Sequence, residues 1–351
     1  MPVPTFGLFD HIEGIPGTPT HRLLKDRLEL FRTADQAGFA SVHLAEHHGT
    51  DLTLAPNQDL MVAAASQVTS SIRMGPMVKL LPMHHPVQLI EDMCVVDQLT
   101  EGRLDYGVGR GAVPAEHAWH GSNHRDAKER FADTLGIIAD ALRTGEISSE
   151  NSRYHDFPTM PMSTRPFQEH IPFWYPGNPE TAGRYGMSLM WPGPISPEAH
   201  QLYVDSWERH RGDRIRLDGP GSRPQVASSM LVAIAEREEE ALAVARRGID
   251  GLVRRTFAGH RFDHLVIDDA EREEVQAPLK QIVAGLEMSI GLGAGTPGQI
   301  ADRFAAFLEP GLVDRVVLML PTGDMTLDDA RRSLDLFVER VQPQLELQHA
   351  A

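Results

Sequence analysis

Two short clusters carry side chains able to move protons near neutral pH: Glu46-His47-His48 and Met83-His84-His85. Histidine is the side chain whose ordinary pKa lies in that range. A carboxylate beside a doublet can fix the tautomer of one ring while the other works as acid or base. With His11, these make five of the chain's 17 histidines, and each follows a run that reads as a strand. His47, His48 and Glu46 are therefore the expected catalytic group. His84 and His85 precede Pro86, which opens a helix, and serve equally well as lining of an entrance.

A further cluster, Gly107-Val108-Gly109-Arg110-Gly111, has G-x-G-x-G spacing, not the G-x-G-x-x-G of a dinucleotide fold, and no helix follows directly. One reading is a turn needing positive φ. The other is a backbone that a flat ligand approaches, with the Arg110 guanidinium forking onto a phosphate. Gly177-Asn178-Pro179-Glu180-Thr181 turns into a helix whose first N–H groups and Thr181 hydroxyl suit a phosphate or ordinary capping. Glu116, His117, His120 and His124 are of metal-ligand type but lack a diagnostic spacing, and no metal is expected. P-loop, G-x-S-x-G and H-E-x-x-H motifs are absent.

These residues need a scaffold, and hydrophobic period supplies one. Apolar strand runs at Val3–Leu8, Phe39–Leu44, Ile72–Leu81, Arg103–Val108, Ile171–Tyr175, Ser188–Trp191, Gln225–Ala235 and Asp314–Leu320 alternate with helical patterns. Gly38 stops the first helix, and Pro86 and Gly102 bracket another. Eight βα units of roughly 30 residues make an α/β fold, a (β/α)8 TIM barrel, with active-site groups at the strand C-termini. About a hundred residues remain. They fall in 112–126, 145–170 and 256–295, which read as loops inserted into a single domain spanning 1–351. The helices at 59–69 and 86–100 are apolar on more than one face, which suggests a homodimer built through them.

The chain's 351 residues carry 33 Lys+Arg against 49 Asp+Glu, a formal charge of −16. No basic stripe exists for nucleic acid. A single cysteine, Cys94, excludes an intramolecular disulfide, fits a reducing compartment and reads as a buried hydrophobe. Neither a signal peptide nor an apolar run long enough for a membrane span is visible, so a soluble cytoplasmic enzyme is expected.

The runs SVHLAEHHG, MGPMVKLLPMHHPVQLIEDMCVVDQLTEGRLDYGVGRG and GTPGQIADRFAAFLEPGLVDRVVLML resemble the bacterial luciferase-like flavin monooxygenases. The resemblance runs from Val3 to about Val341 and is densest from Phe39 to Gly111. It implies a TIM barrel that binds reduced FMN, supplied by a separate flavin reductase, and uses O2 on a small organic substrate. It implies His47 as the catalytic histidine with Glu46 and His48 beside it. It places a non-prolyl cis peptide at Met77-Val78 beside the isoalloxazine. Arg110 and Gly111 fall at the phosphate, Gly177, Asn178 and Thr181 near a second phosphate-binding segment, and Glu116 at an acidic flavin-pocket position. Family dimers use the helices after strands 2 and 3. Where the luciferase catalytic subunit has a cysteine, this chain has Gly109, which argues against light emission. Two alternatives share the fold: an F420-dependent oxidoreductase transferring hydride, and a non-catalytic flavin-binding accessory subunit. Retention of Glu46, His47, His48 and Arg110 argues against the accessory subunit.

Overall fold

Residues 4–350 are described by a computed structural model. Val3, the expected start of the first strand, lies outside the described residues. Nine stretches form one parallel sheet: β1 (Thr5–Asp10), β2 (Ser41–Leu44), β3 (Arg73–Pro76), β4 (Lys79–Leu80), β5 (Tyr106–Gly109), β6 (Phe173–Pro176), β7 (Ser188–Pro192), β8 (Val226–Leu231) and β9 (Arg315–Met319). Their order is β3-β2-β1-β9-β8-β7-β6-β5-β4. The two ends of that order are halves of one strand, broken at Met77-Val78: β3 pairs with β2, and β4 with β5. Counted as one, they leave eight strands wrapped into the expected barrel. The strands are buried, as both faces of a barrel strand must be.

Around the sheet lie α1 (Thr20–Gln36), α2 (Gln58–Ser66), α3 (Pro86–Leu99), α4 (Pro114–Trp119), α5 (Ala127–Thr144), α6 (Pro179–Arg184), α7 (Pro197–Arg209), α8 (Glu238–Gly259), α9 (Asp269–Gly293), α10 (Pro297–Leu308) and α11 (Leu327–Leu336), with a last helix at Gln342–Ala350. No helix among the described residues is long and apolar enough to cross a membrane.

Three expectations need correction. The run Ile72–Leu81 is not one strand, because the chain breaks at Met77-Val78 and Leu81–Met83 is a 3-10 turn. The run Gln225–Ala235 also splits: Val226–Leu231 enters the barrel, whereas Ala233–Ile234 leaves it to pair with Ala294–Gly295. The 256–295 insert is not a loop. It holds the end of α8, a 3-10 segment at His260–Leu265 and all of α9. Pro278, Gly285 and Gly291 obscure a stretch otherwise rich in the helix formers Ala, Glu, Leu, Lys and Gln. At one end of this insert, Arg255 is fully buried and pairs with Glu13 (3.3 Å) and Asp324 (2.8 Å).

Near the N-terminal ends of the strands, Asp105 accepts from Arg73 Nε (2.6 Å) and Arg315 (3.2 Å), with the buried His43 Nε2 4.0 Å away. Burial pushes the His43 pKa down to about 4; Asp105 opposes this, and Arg315 and Arg73 add to it. A ring held neutral in the fold but free to charge when unfolded contributes stability above pH 6.5 that is lost as pH falls toward 4. Urea unfolding across that window should show a loss on the order of 3 kcal/mol that His43→Gln removes. An unchanged pH slope in the variant would contradict this.

Candidate active site

The chain leaves β2 at Leu44 and delivers Glu46, His47 and His48 to the C-terminal mouth of the barrel. Glu46 is buried. One of its oxygens accepts the Leu80 backbone N–H at 2.8 Å, tying it to β4. The other lies 3.0 Å from His48 Nε2 and 2.6 Å from His84 Nε2. Burial favours its neutral form, but the hydrogen bonds from His48 and His84 and the charge of Lys79 outweigh burial and hold the carboxyl well below its usual range. An ionised carboxylate only accepts, so both imidazoles carry their proton on Nε2. Glu46 thus fixes the tautomer of His48, as its place in sequence suggests, and of His84 as well.

His47 has a carboxylate of its own. Its Nδ1 lies 3.3 Å from Glu116 Oε1, which also accepts the His48 backbone N–H at 2.9 Å. Glu116 comes from the first turn of α4, inside the 112–126 insert, and is buried. With Nδ1–H directed at Glu116, the Nε2 lone pair of His47 has no hydrogen-bond partner among the described residues and is the available base. The His47 ring is partly exposed and stacks on His11 at 5.9 Å and 21°. Burial, reinforced by His47, pushes the His11 pKa down to about 3, so His11 stays neutral wherever His47 works. Asp10, the residue before His11, is occupied structurally by Arg27 (2.7 Å) and the Ile12 N–H (2.6 Å).

His85 turns away from this group and caps α3 by accepting the Val87 N–H. His120 packs on His48 with ring centroids 4.2 Å apart, and His117 meets the Ser122 hydroxyl at 2.8 Å. Among the described residues, no three His, Cys, Asp or Glu side chains are grouped to hold a metal.

Met77-Val78 is a cis peptide, at the position the resemblance gives. The Val78 carbonyl accepts from Gln58 Nε2 at 3.1 Å, and Met77 packs against Trp174 and Met190 inside the barrel. Of the three glycines in the 107–111 run, Gly107 and Gly109 serve this bend. A Cβ on Gly107 would lie 2.5 Å from the Pro76 carbonyl, and one on Gly109 2.4 Å from Val78 Cγ2. Gly111, at φ 80°, is the one of the three that needs positive φ. At Gly107 and Gly109 the surface approaching this backbone is the neighbouring chain at Pro76–Val78.

Arg110 is exposed and opens onto a cleft of about 840 Å³ whose lining includes Tyr175, Gly177, Asn178 and Thr181. The fold thus brings together the two segments that the sequence assigns to phosphate. Asn178 spends its side-chain oxygen capping α6 through the Thr181 N–H (2.8 Å), so for Asn178 the capping reading holds. Burial raises the Tyr175 pKa, and the Arg110 charge partly offsets it.

Sequence reasoning found the histidines and missed three partners: Glu116 as the brace of His47, His11 as its stacking neighbour, and Lys79. Lys79 pairs with the buried Asp59 at 2.7 Å. A carboxylate in the first turn of an insert after a buried strand is a usable signal for Glu116. Nothing local marks the others.

A model of the luciferase-like monooxygenase family matches residues 5–314. The oxygenase component of a flavin-dependent trigonelline monooxygenase from Acinetobacter baylyi is 27% identical over 360 residues, covering 96% of this chain and 94% of that protein. Among solved structures, the oxygenating constituent of 3,6-diketocamphane monooxygenase from Pseudomonas putida, in complex with FMN, superposes with a TM-score of 0.72 at 21% identity over 97% of this chain and 98% of the other. An F420-dependent secondary alcohol dehydrogenase superposes with a TM-score of 0.71 at 17% identity, over 97% and 99%. Likeness at those identities is one of fold; the family model, matching nearly the whole length, decides membership, and this chain belongs to the luciferase-like monooxygenases.

Proposed function

We propose that the chain is the oxygenase half of a two-component monooxygenase, taking reduced FMN from a separate flavin reductase and using O2 on a small organic substrate. One observation carries the reading: the His47–Glu116 pair and the Arg110 cleft lie at the same end of one barrel. The oxygenase-component name of the Acinetobacter relative supports a separate reductase. Arg110, Gly111, Gly177 and Thr181 would hold the phosphate, and Met77-Val78 would back the ring. Reduced flavin, when bound, supplies the electrons that activate O2.

The chain's own residues do the rest. His47 Nε2 takes and returns a proton, while Glu116 stabilises the imidazolium on the far side of the ring. His11, neutral beside it, adds no competing charge. Two inserts meet over this side of the mouth, where Trp119 packs edge-on against Phe262 at 5.5 Å. Equilibrium binding of FMN, reduced FMN under anaerobic conditions, and F420, followed by a substrate screen with O2, tests the reading. Tight reduced-FMN binding with substrate-dependent O2 uptake is expected. A preference for F420 would replace it with hydride transfer, and binding of neither would end it.

The dimer belongs to the same proposal. α2 and α3 expose Leu60 (69%), Val95 (46%) and Leu99 (45%), large apolar side chains that a partner would cover. Sedimentation should give twice the 38.8 kDa chain mass, and Leu60→Asp with Val95→Asp should give monomer.

A further inference from the structure

Four cations line the Arg110 cleft: Arg110, Lys128, Arg184 and Arg209. They come from the loop after β5, from α5, α6 and α7, so the fold and no single helix face assembles them. None makes an ion pair among the described residues. Their neighbours do: Arg211 is held by Glu208 at 2.6 Å and Arg214 by Asp140 at 2.8 Å. Two carboxylates, Glu129 and Glu180, line the same cleft, leaving 4 − 2, a local excess of two positive charges. This sits on a chain of formal charge −16, where most of the surface repels an anion. The Arg184 guanidinium lies over the Tyr185 ring, 5.7 Å from the centroid.

A phosphate monoester carries about two negative charges. Arg110 with the turn at Gly177 offers it a contact, and the other three cations exceed what holding one phosphate requires. We infer that Lys128, Arg184 and Arg209 form an electrostatic entry path that captures the phosphate-bearing cofactor from solution, distinct from the Arg110 contact that retains it. The inference rests on the flavin reading above. An oxygenase that receives its cofactor by diffusion in every cycle gains directly from faster encounter. A cleft of one sign focuses the field and raises association rates by about 10- to 1,000-fold, an advantage that salt removes.

Anaerobic stopped-flow association of reduced FMN with the full-length protein, with reduced riboflavin as the arm lacking phosphate, tests this. Between about 0.02 M and about 0.5 M salt, the FMN association rate should fall about tenfold or more. The triple variant Lys128→Gln/Arg184→Gln/Arg209→Gln should start about tenfold slower at low salt, lose most of the salt dependence, and keep its dissociation rate within about twofold. Riboflavin should associate equally with both proteins at all salts, whereas Arg110→Gln should act mainly by speeding FMN dissociation. Wild-type rates in the triple variant, or an equal slowing for riboflavin, would overturn the entry path. Reduced FMN failing to bind the wild-type protein at any salt would instead overturn the flavin reading itself.

Discussion

His47→Ala should lower turnover by about 100- to 10,000-fold while FMN binding stays within about twofold, the signature of a lost proton-transfer group. The ring is partly exposed at the mouth, and its one side-chain hydrogen bond runs to Glu116, so removing it opens little of the core. Glu116→Gln separates positioning from proton transfer. The amide can still accept the His48 backbone N–H, but it cannot stabilise a charged His47. Its turnover should therefore fall while FMN binding is kept, because the amide offers the developing imidazolium no counter-charge. Steady-state rates and single-turnover kinetics across pH check both variants. An active His47→Ala enzyme would remove His47 from the mechanism.

Glu46→Ala should be the most damaging single change for stability at this site, costing about 3–5 kcal/mol. It strips acceptors from the Leu80 N–H, His48 and His84 at once, and removes a counter-charge from the buried Lys79. Glu46→Gln should cost less, since its amide oxygen still accepts while its NH2 meets donors. The sign with pH follows from the depressed carboxyl. Its stabilisation is complete above the unfolded value of 4.5 and is lost as pH falls below it. Urea midpoints of both variants at neutral and acid pH decide this; an alanine variant as stable as wild type would show that Glu46 is dispensable.

How far the sequence reached can be judged at these two carboxylates. Glu46 was legible because it adjoins the doublet it serves, and the end of a strand places all three residues at the mouth. Glu116 was legible only as an acid near the flavin, since its meeting with His47 depends on how an insert 69 residues away folds back. The barrel followed from alternation of strand and helix, a local pattern. The break at Met77-Val78 did not, because Ile72–Leu81 is apolar throughout and period cannot show a kink within such a run. The resemblance located the bend that hydropathy concealed. The helical content of the last insert was hidden for a related reason: Pro278 and its glycines argue locally against a helix that the surrounding sequence and contacts sustain.

The last insert is fastened at both ends. Arg255 locks its entrance to Glu13 and Asp324, and the pairing of Ala294–Gly295 with Ala233–Ile234 fixes its exit. Everything between those fastenings lies outside the strand ladder and away from the Arg110 cleft. The segment is anchored as an exchangeable cassette would be. A graft from a relative, cut just inside the two anchors and keeping the packing of Leu286 and Ile290 on the core, should change what the mouth admits and leave the Arg110 cleft as it is. Modularity of this kind gives one scaffold access to many substrates.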